Sequence, residues 1–158
     1  MGFDFNIDEI LAIAEEIERN GAAFYRTAAE GAPDEATRNT LNELARMEDQ
    51  HEQTFISLRA ELSVDDKKPG AFDPEDETAK YLKALADRRV FHDKAVDLSS
   101  LEEVLQEAIQ TEEDSIAFYV GMRDLVPPRL GKDKISNIIK EEMGHLVLLT
   151  DKLEALQS

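Results

Sequence analysis

Two stretches of this chain carry one pattern. Shifted by 94 residues, Leu11 falls on Leu105, Ala14 on Ala108, Glu18 on Glu112, Ala23 on Ala117, Phe24 on Phe118 and Tyr25 on Tyr119. The same shift carries Leu41 onto Ile135, Leu44 onto Ile138, Glu48 onto Glu142, His51 onto His145 and Phe55 onto Leu149. "ERNGAAFY" and "EEDSIAFY" are therefore one motif written twice, and each half holds one Glu-x-x-His. Glu48 follows Glu18 by 30 residues, as Glu142 follows Glu112.

Apolar residues recur at helical spacing in four long segments separated by Gly, Pro and Asp. The first runs from about Asp8 to Glu30 and the second from about Asp34 to Leu62. The third starts at the cap in "LSSLEE" near Ser99 and ends before "VPPRLGKD". The fourth runs from about Asp133 to Leu156. No strand pattern interrupts them. Short links make each consecutive pair an antiparallel hairpin. The long connection between the pairs holds a further helical piece, "EDETAKYLKALADRR". The expectation is one all-α domain over residues 1–158, a four-helix bundle with one long crossover, which is the ferritin-like connectivity.

Leu41, Leu44, Glu48, His51, Phe55 and Leu58 step by threes and fours, so they form one stripe of the second helix. Ile135, Ile138, Glu142, His145 and Leu149 repeat it on the fourth. The other two helices offer Leu11, Ala14, Glu18, Tyr25 and Leu105, Ala108, Glu112, Tyr119. Four carboxylates and two imidazoles thus converge on one level of the bundle. Left bare, such charges would be very costly to bury, and two imidazolium groups cannot balance four carboxylates. Two divalent cations can, with both histidines neutral and ligating. Residues three apart on a helix project to the same side, so one turn supplies a carboxylate and an imidazole to one ion. The register assigns Glu18, Glu48 and His51 to one metal and Glu112, Glu142 and His145 to the other, with Glu48 and Glu142 bridging. A lone Glu-x-x-His would be a weak signal; two in the same register, each with an upstream Glu and a Tyr seven residues beyond it, are a strong one.

Around these residues the expectations are plainer. Tyr25 and Tyr119 are placed to hold the opposite carboxylates by their hydroxyls. Glu15, Glu16, Glu113 and Glu141 flank the ligands, and the repeat register leaves Glu141 on the surface. Gly144 suggests close backbone approach beside His145. His92 has no counterpart in the other half and is expected at the surface or an interface. The chain has no cysteine, which excludes thiolate sites and disulfides within it. With 35 acidic against 18 basic residues its net charge is −17, which disfavours nucleic acid and anionic lipid partners and favours cations. No segment approaches the roughly 18 uninterrupted apolar residues of a membrane span, so a cytoplasmic protein is expected.

From "IAEEIERNGAAFY" through "EEMGHLVLL" the chain resembles rubrerythrin-type, ferritin-like di-iron proteins. The resemblance implies a centre of two iron ions, with manganese or zinc as alternatives, in a homodimer. It also implies an oxidoreductase that reacts with hydrogen peroxide or dioxygen using an external electron donor. The alternatives are ferritin-like iron oxidation and sequestration, or a structural or regulatory bundle stabilised by metal. Two features depart from the family. Rubrerythrins proper append a cysteine-ligated iron domain, for which this chain has no cysteine. They also carry a second glutamate three residues after the first on the third helix, where this chain has Ser115.

Overall fold

The structure, a computed structural model, describes residues 5–68, 71–73, 75, 77–90 and 96–158, with the side chains of residues 89 and 90 left aside. Among the described residues, five α-helices follow from the apolar patterns: α1 Ile7–Glu30, α2 Glu35–Ala60, α3 Glu77–Val90, α4 Leu101–Leu125 and α5 Lys132–Gln157. Three of the starts have side-chain caps that satisfy an otherwise orphaned first-turn N–H. Asn6 accepts from the Glu9 amide, Asp34 from that of Thr37 and Ser100 from that of Glu103. The α4 cap is therefore Ser100 and not Ser99, whose amide and hydroxyl both donate to Asp97. Between α4 and α5 the chain turns through Pro127 and a short 3-10 helix at Pro128–Leu130. Gly131 closes this turn at φ 100°, where a side chain would be strained and would collide with Leu58. Among the described residues there is no strand.

α1 lies along α2 and α4 along α5, as the short links demand, while α3 rests on α4. Gly121 permits that last contact. A Cβ there would sit 2.7 Å from Tyr81 Cε1 and 2.9 Å from Leu82 Cδ2. The Tyr81 hydroxyl also donates to the Ala117 carbonyl at 3.1 Å.

The apolar stripes do not form one continuous core. Ile10, Leu11, Phe55, Leu58, Phe118, Tyr119, Met122, Ile135 and Ile138, with Leu82 of α3, make one buried cluster. Tyr25, Ala28, Leu41, Leu44, Leu105, Ala108 and Leu149 make a second. Along every long helix the stretch between the two clusters holds the acidic or Glu-x-x-His residues. A polar layer is thus enclosed between two apolar ones. Each large apolar side chain that is fully buried contributes about 1.5–3 kcal/mol, so the clusters hold the helices together where the layer between them cannot.

Candidate metal centre

Glu18, Glu48, His51, Glu112, Glu142 and His145 are all buried, none more than 4% exposed. The structure brings together all six side chains singled out by spacing. Ligand atoms of Glu18, Glu48, His51 and Glu142 lie within 4.8 Å of one another, and so do those of Glu48, Glu112, Glu142 and His145. Glu48 and Glu142 belong to both groups. Each histidine turns Nδ1 inward: that of His51 lies 2.8 Å from Glu142 Oε1 and 3.5 Å from Glu18 Oε2. The Nδ1 of His145 lies 3.3 Å from Glu48 Oε1 and 3.4 Å from Glu112 Oε1. The two rings are nearly parallel, with centroids 6.0 Å apart.

Proximity does not make these atoms hydrogen-bonded. Among the described residues, the buried side-chain atoms without a partner of acceptable geometry are Glu18 Oε2, Glu48 Oε1, His51 Nδ1, Glu112 Oε2, both Glu142 oxygens and His145 Nδ1. Every one belongs to this layer. Buried polar groups without partners are costly, and an inward-facing set of nitrogen and oxygen lone pairs is what a metal ion would satisfy. The residues fit two such ions.

The tyrosines close the layer from opposite sides. Tyr25, in one apolar cluster, donates to Glu112 Oε1 at 2.6 Å, and Tyr119, in the other, donates to Glu18 Oε1 at 2.6 Å. Burial and the neighbouring carboxylates hold both phenols well above their ordinary range, so both remain donors. Without metal the layer compensates itself with protons. Burial, then the charge of Glu48, raises Glu18 well above the usual carboxylate range. Burial, then the close approach of the Glu112 carboxyl, does the same to Glu142. For His145, burial is outweighed by Glu112 and Glu48, which push it up to about 9.

Outside the layer, Glu141 lies at the surface as expected, its side chain 49% exposed, and it also reaches across from α5 to the outer nitrogen of His51, with Oε2 2.5 Å from Nε2. The equivalent nitrogen of His145 meets the Met47 sulfur at 3.3 Å. A signal for this pair existed, because the 94-residue shift puts Met47 on Glu141. Gly144 does not serve close approach, since a Cβ there would meet nothing within 4 Å. The close glycine is Gly21, where a Cβ would stand 3.3 Å from Glu48 Oε2. Glu15 is buried too, paired with Arg59 at 3.0 Å. His92 lies outside the described residues. A polar groove of about 460 Å³ between α2 and α5, lined in part by Gln50, Thr54, Lys134 and Asn137, opens onto the His51 and Glu141 pair.

A four-helix bundle with a crossover helix and a buried layer of four glutamates and two histidines defines a ferritin-like carboxylate protein of the di-iron class. The rubrerythrin pattern matches residues 9–153, and the chain belongs to the rubrerythrin family. It is, accordingly, a rubrerythrin-like oxidoreductase. Its fold is similar to that of a candidate ferritin-like diiron-carboxylate protein from Thermotoga maritima, at 24% identity over 98% of each chain and a TM-score of 0.71. No curated protein matches the chain. Among the described residues no helix is long and apolar enough to cross a membrane.

Proposed function

We propose that Glu18, Glu48 and His51 hold one iron ion and Glu112, Glu142 and His145 a second, with Glu48 and Glu142 shared, and that the protein reduces hydrogen peroxide or dioxygen with electrons from an external donor. The observation that carries this reading is the set of inward atoms without partners, all of them on these six side chains. Mixed imidazole and carboxylate donors suit iron, manganese or zinc, and of these only iron and manganese change oxidation state in such a site. When bound, iron supplies one-electron redox change and Lewis acidity toward an oxygen substrate.

The chain's own residues do the rest. Four carboxylates offset the charge of two divalent ions. Tyr25 and Tyr119 keep Glu112 and Glu18 aimed inward, and the two apolar clusters exclude bulk water. The groove between α2 and α5 offers a small polar oxidant a way to the His51 side. Ser115 is buried, with its hydroxyl donating to the Thr111 carbonyl at 2.9 Å, and it has no carboxylate to offer a moving ion. Each ion would therefore keep the same ligands in both oxidation states.

The net charge of −17 also suits iron uptake, which makes storage the second reading. Mixing the ferrous protein with hydrogen peroxide and a reductant, then counting iron, separates them. Rapid repeated oxidation with iron constant at two per chain supports the oxidoreductase. Loading to tens of irons per chain would favour storage, and oxidation no faster than that of free ferrous ion would leave a structural role. We also propose a homodimer, supported by the exposed Met143, Val147 and Leu148 along α5; light scattering at the mass of a single chain would contradict it.

A further inference from the structure

The duplication is broken at the position that meets the outer nitrogen of each histidine. Residues 47 and 141 are equivalent under the 94-residue shift, each just before the Glu of Glu-x-x-His, and each reaches across to the histidine of the other half. At His51 the neighbour is a carboxylate oxygen at 2.5 Å; at His145 it is a thioether sulfur at 3.3 Å. These two acceptors differ greatly in strength. A carboxylate accepting from Nε2–H fixes the proton on that nitrogen, holds the ring's orientation and leaves the Nδ1 lone pair aimed inward and more basic. A thioether is a weak acceptor and does each of these poorly.

The ligating side chains at the two positions are closely paired. Both Nδ1 atoms face the layer, and each stands near one unshared and one bridging glutamate. Each unshared glutamate takes a 2.6 Å hydrogen bond from a tyrosine. We propose that Glu141 is the positioning residue for His51, and that the occurrence of Met47 at its equivalent place makes the two metal positions unequal, the one at His51 being the tighter. The inference rests on the two-metal reading above. It means that the chain loads its two ions in order, the ion beside the groove first, although the ligating side chains themselves are symmetric.

Titration of the metal-free protein with cobalt(II), followed by calorimetry, tests this. The wild-type protein should take two equivalents in two resolved steps. Glu141→Met, which restores the symmetry, should weaken the tighter step by about 10–100-fold, the usual effect of removing such an outer partner, and leave the other step unmoved. Because Glu141 is half exposed, this change leaves the apolar clusters intact. In a His51→Ala background, where one equivalent remains, Glu141→Met should change nothing; in a His145→Ala background its effect should persist. Met47→Glu should tighten the weaker step. Equal weakening of both steps in Glu141→Met, or the same loss with His51 already gone, would overturn the inference. So would two equivalents whose affinities neither substitution moves. Failure of the wild-type protein to take up any cobalt would instead overturn the two-metal reading and this inference with it.

Discussion

Tyr119 donates to a carboxylate that has no other hydrogen-bond donor within the layer, so its hydroxyl can be tested apart from its ring. Tyr119→Phe keeps the packing against Phe55 and Phe118 but strips Glu18 Oε1 of its 2.6 Å partner. A hydrogen bond to a charged group contributes about 1.5–3 kcal/mol. Thermal unfolding of the metal-loaded variant should fall by roughly 3–12 °C for a chain of this size, and an unchanged midpoint would show that the hydroxyl is dispensable. The convergence of the six buried residues and the two tyrosines was legible in the spacing, because a helical stripe and a repeat register each fix which side chains share a level. Glu141 was not. Its contact with His51 depends on the side chain's direction and on the gap between α2 and α5, and spacing along one helix is silent on both. Gly144 misled for a related reason: whether a glycine meets a neighbour is decided by the distance to the next helix.

The helices were readable to within two residues at their ends, since caps and Pro or Gly stops are local signals. The details that join them are tertiary. Ser99 and Ser100 are both plausible caps in the sequence, and the hydrogen bonds of Ser99 to Asp97 decide for Ser100. Two glycines make a matched test of the packing. Gly121→Ala drives a methyl into Tyr81 and Leu82, and overpacking of this kind costs about 1–3 kcal/mol. Gly144→Ala meets nothing and should stabilise the protein by roughly 0.5–1 kcal/mol. Denaturant melts moving in the same direction for both would contradict the helix positions. The start of the crossover is tied to the α4–α5 turn by Asp66, which is bonded to Arg129 at 2.6 Å and to the Ser63 amide at 3.0 Å. The Arg129 guanidinium, with the Ser63 amide, lowers its carboxyl from 3.8 to about 2. A depressed folded value means that stability is fully present above about pH 4 and is lost as pH falls through 2. Asp66→Asn should therefore lower stability at pH 7 and flatten its decline between those limits; acid melts parallel to those of the wild-type protein would exclude the tie.

At the scale of the whole molecule, a bundle is held by two apolar clusters around a layer that is unfavourable without its ions. The metal-free protein should consequently unfold at a lower temperature than the loaded protein, by an amount that grows with metal concentration. Its pH dependence has a definite sign. Glu18 and Glu142 have raised folded values, so the folded state binds the extra protons and stability rises as pH falls through those values. His145, raised from 6.5 to about 9, contributes stability that is complete below 6.5 and lost as pH climbs through 9. Both effects run the same way, so the metal-free protein should weaken steadily between pH 6.5 and 9, whereas the loaded protein, its ligands already deprotonated, should lack that slope. Equal slopes would mean that the layer is not where the metal binds. The most direct measurement is anomalous diffraction at the iron edge from crystals of iron-loaded protein. Two peaks are expected, one among Glu18, Glu48, His51 and Glu142 and one among Glu48, Glu112, Glu142 and His145; a single peak, or iron bound elsewhere such as beside His92, would contradict the two-metal layer.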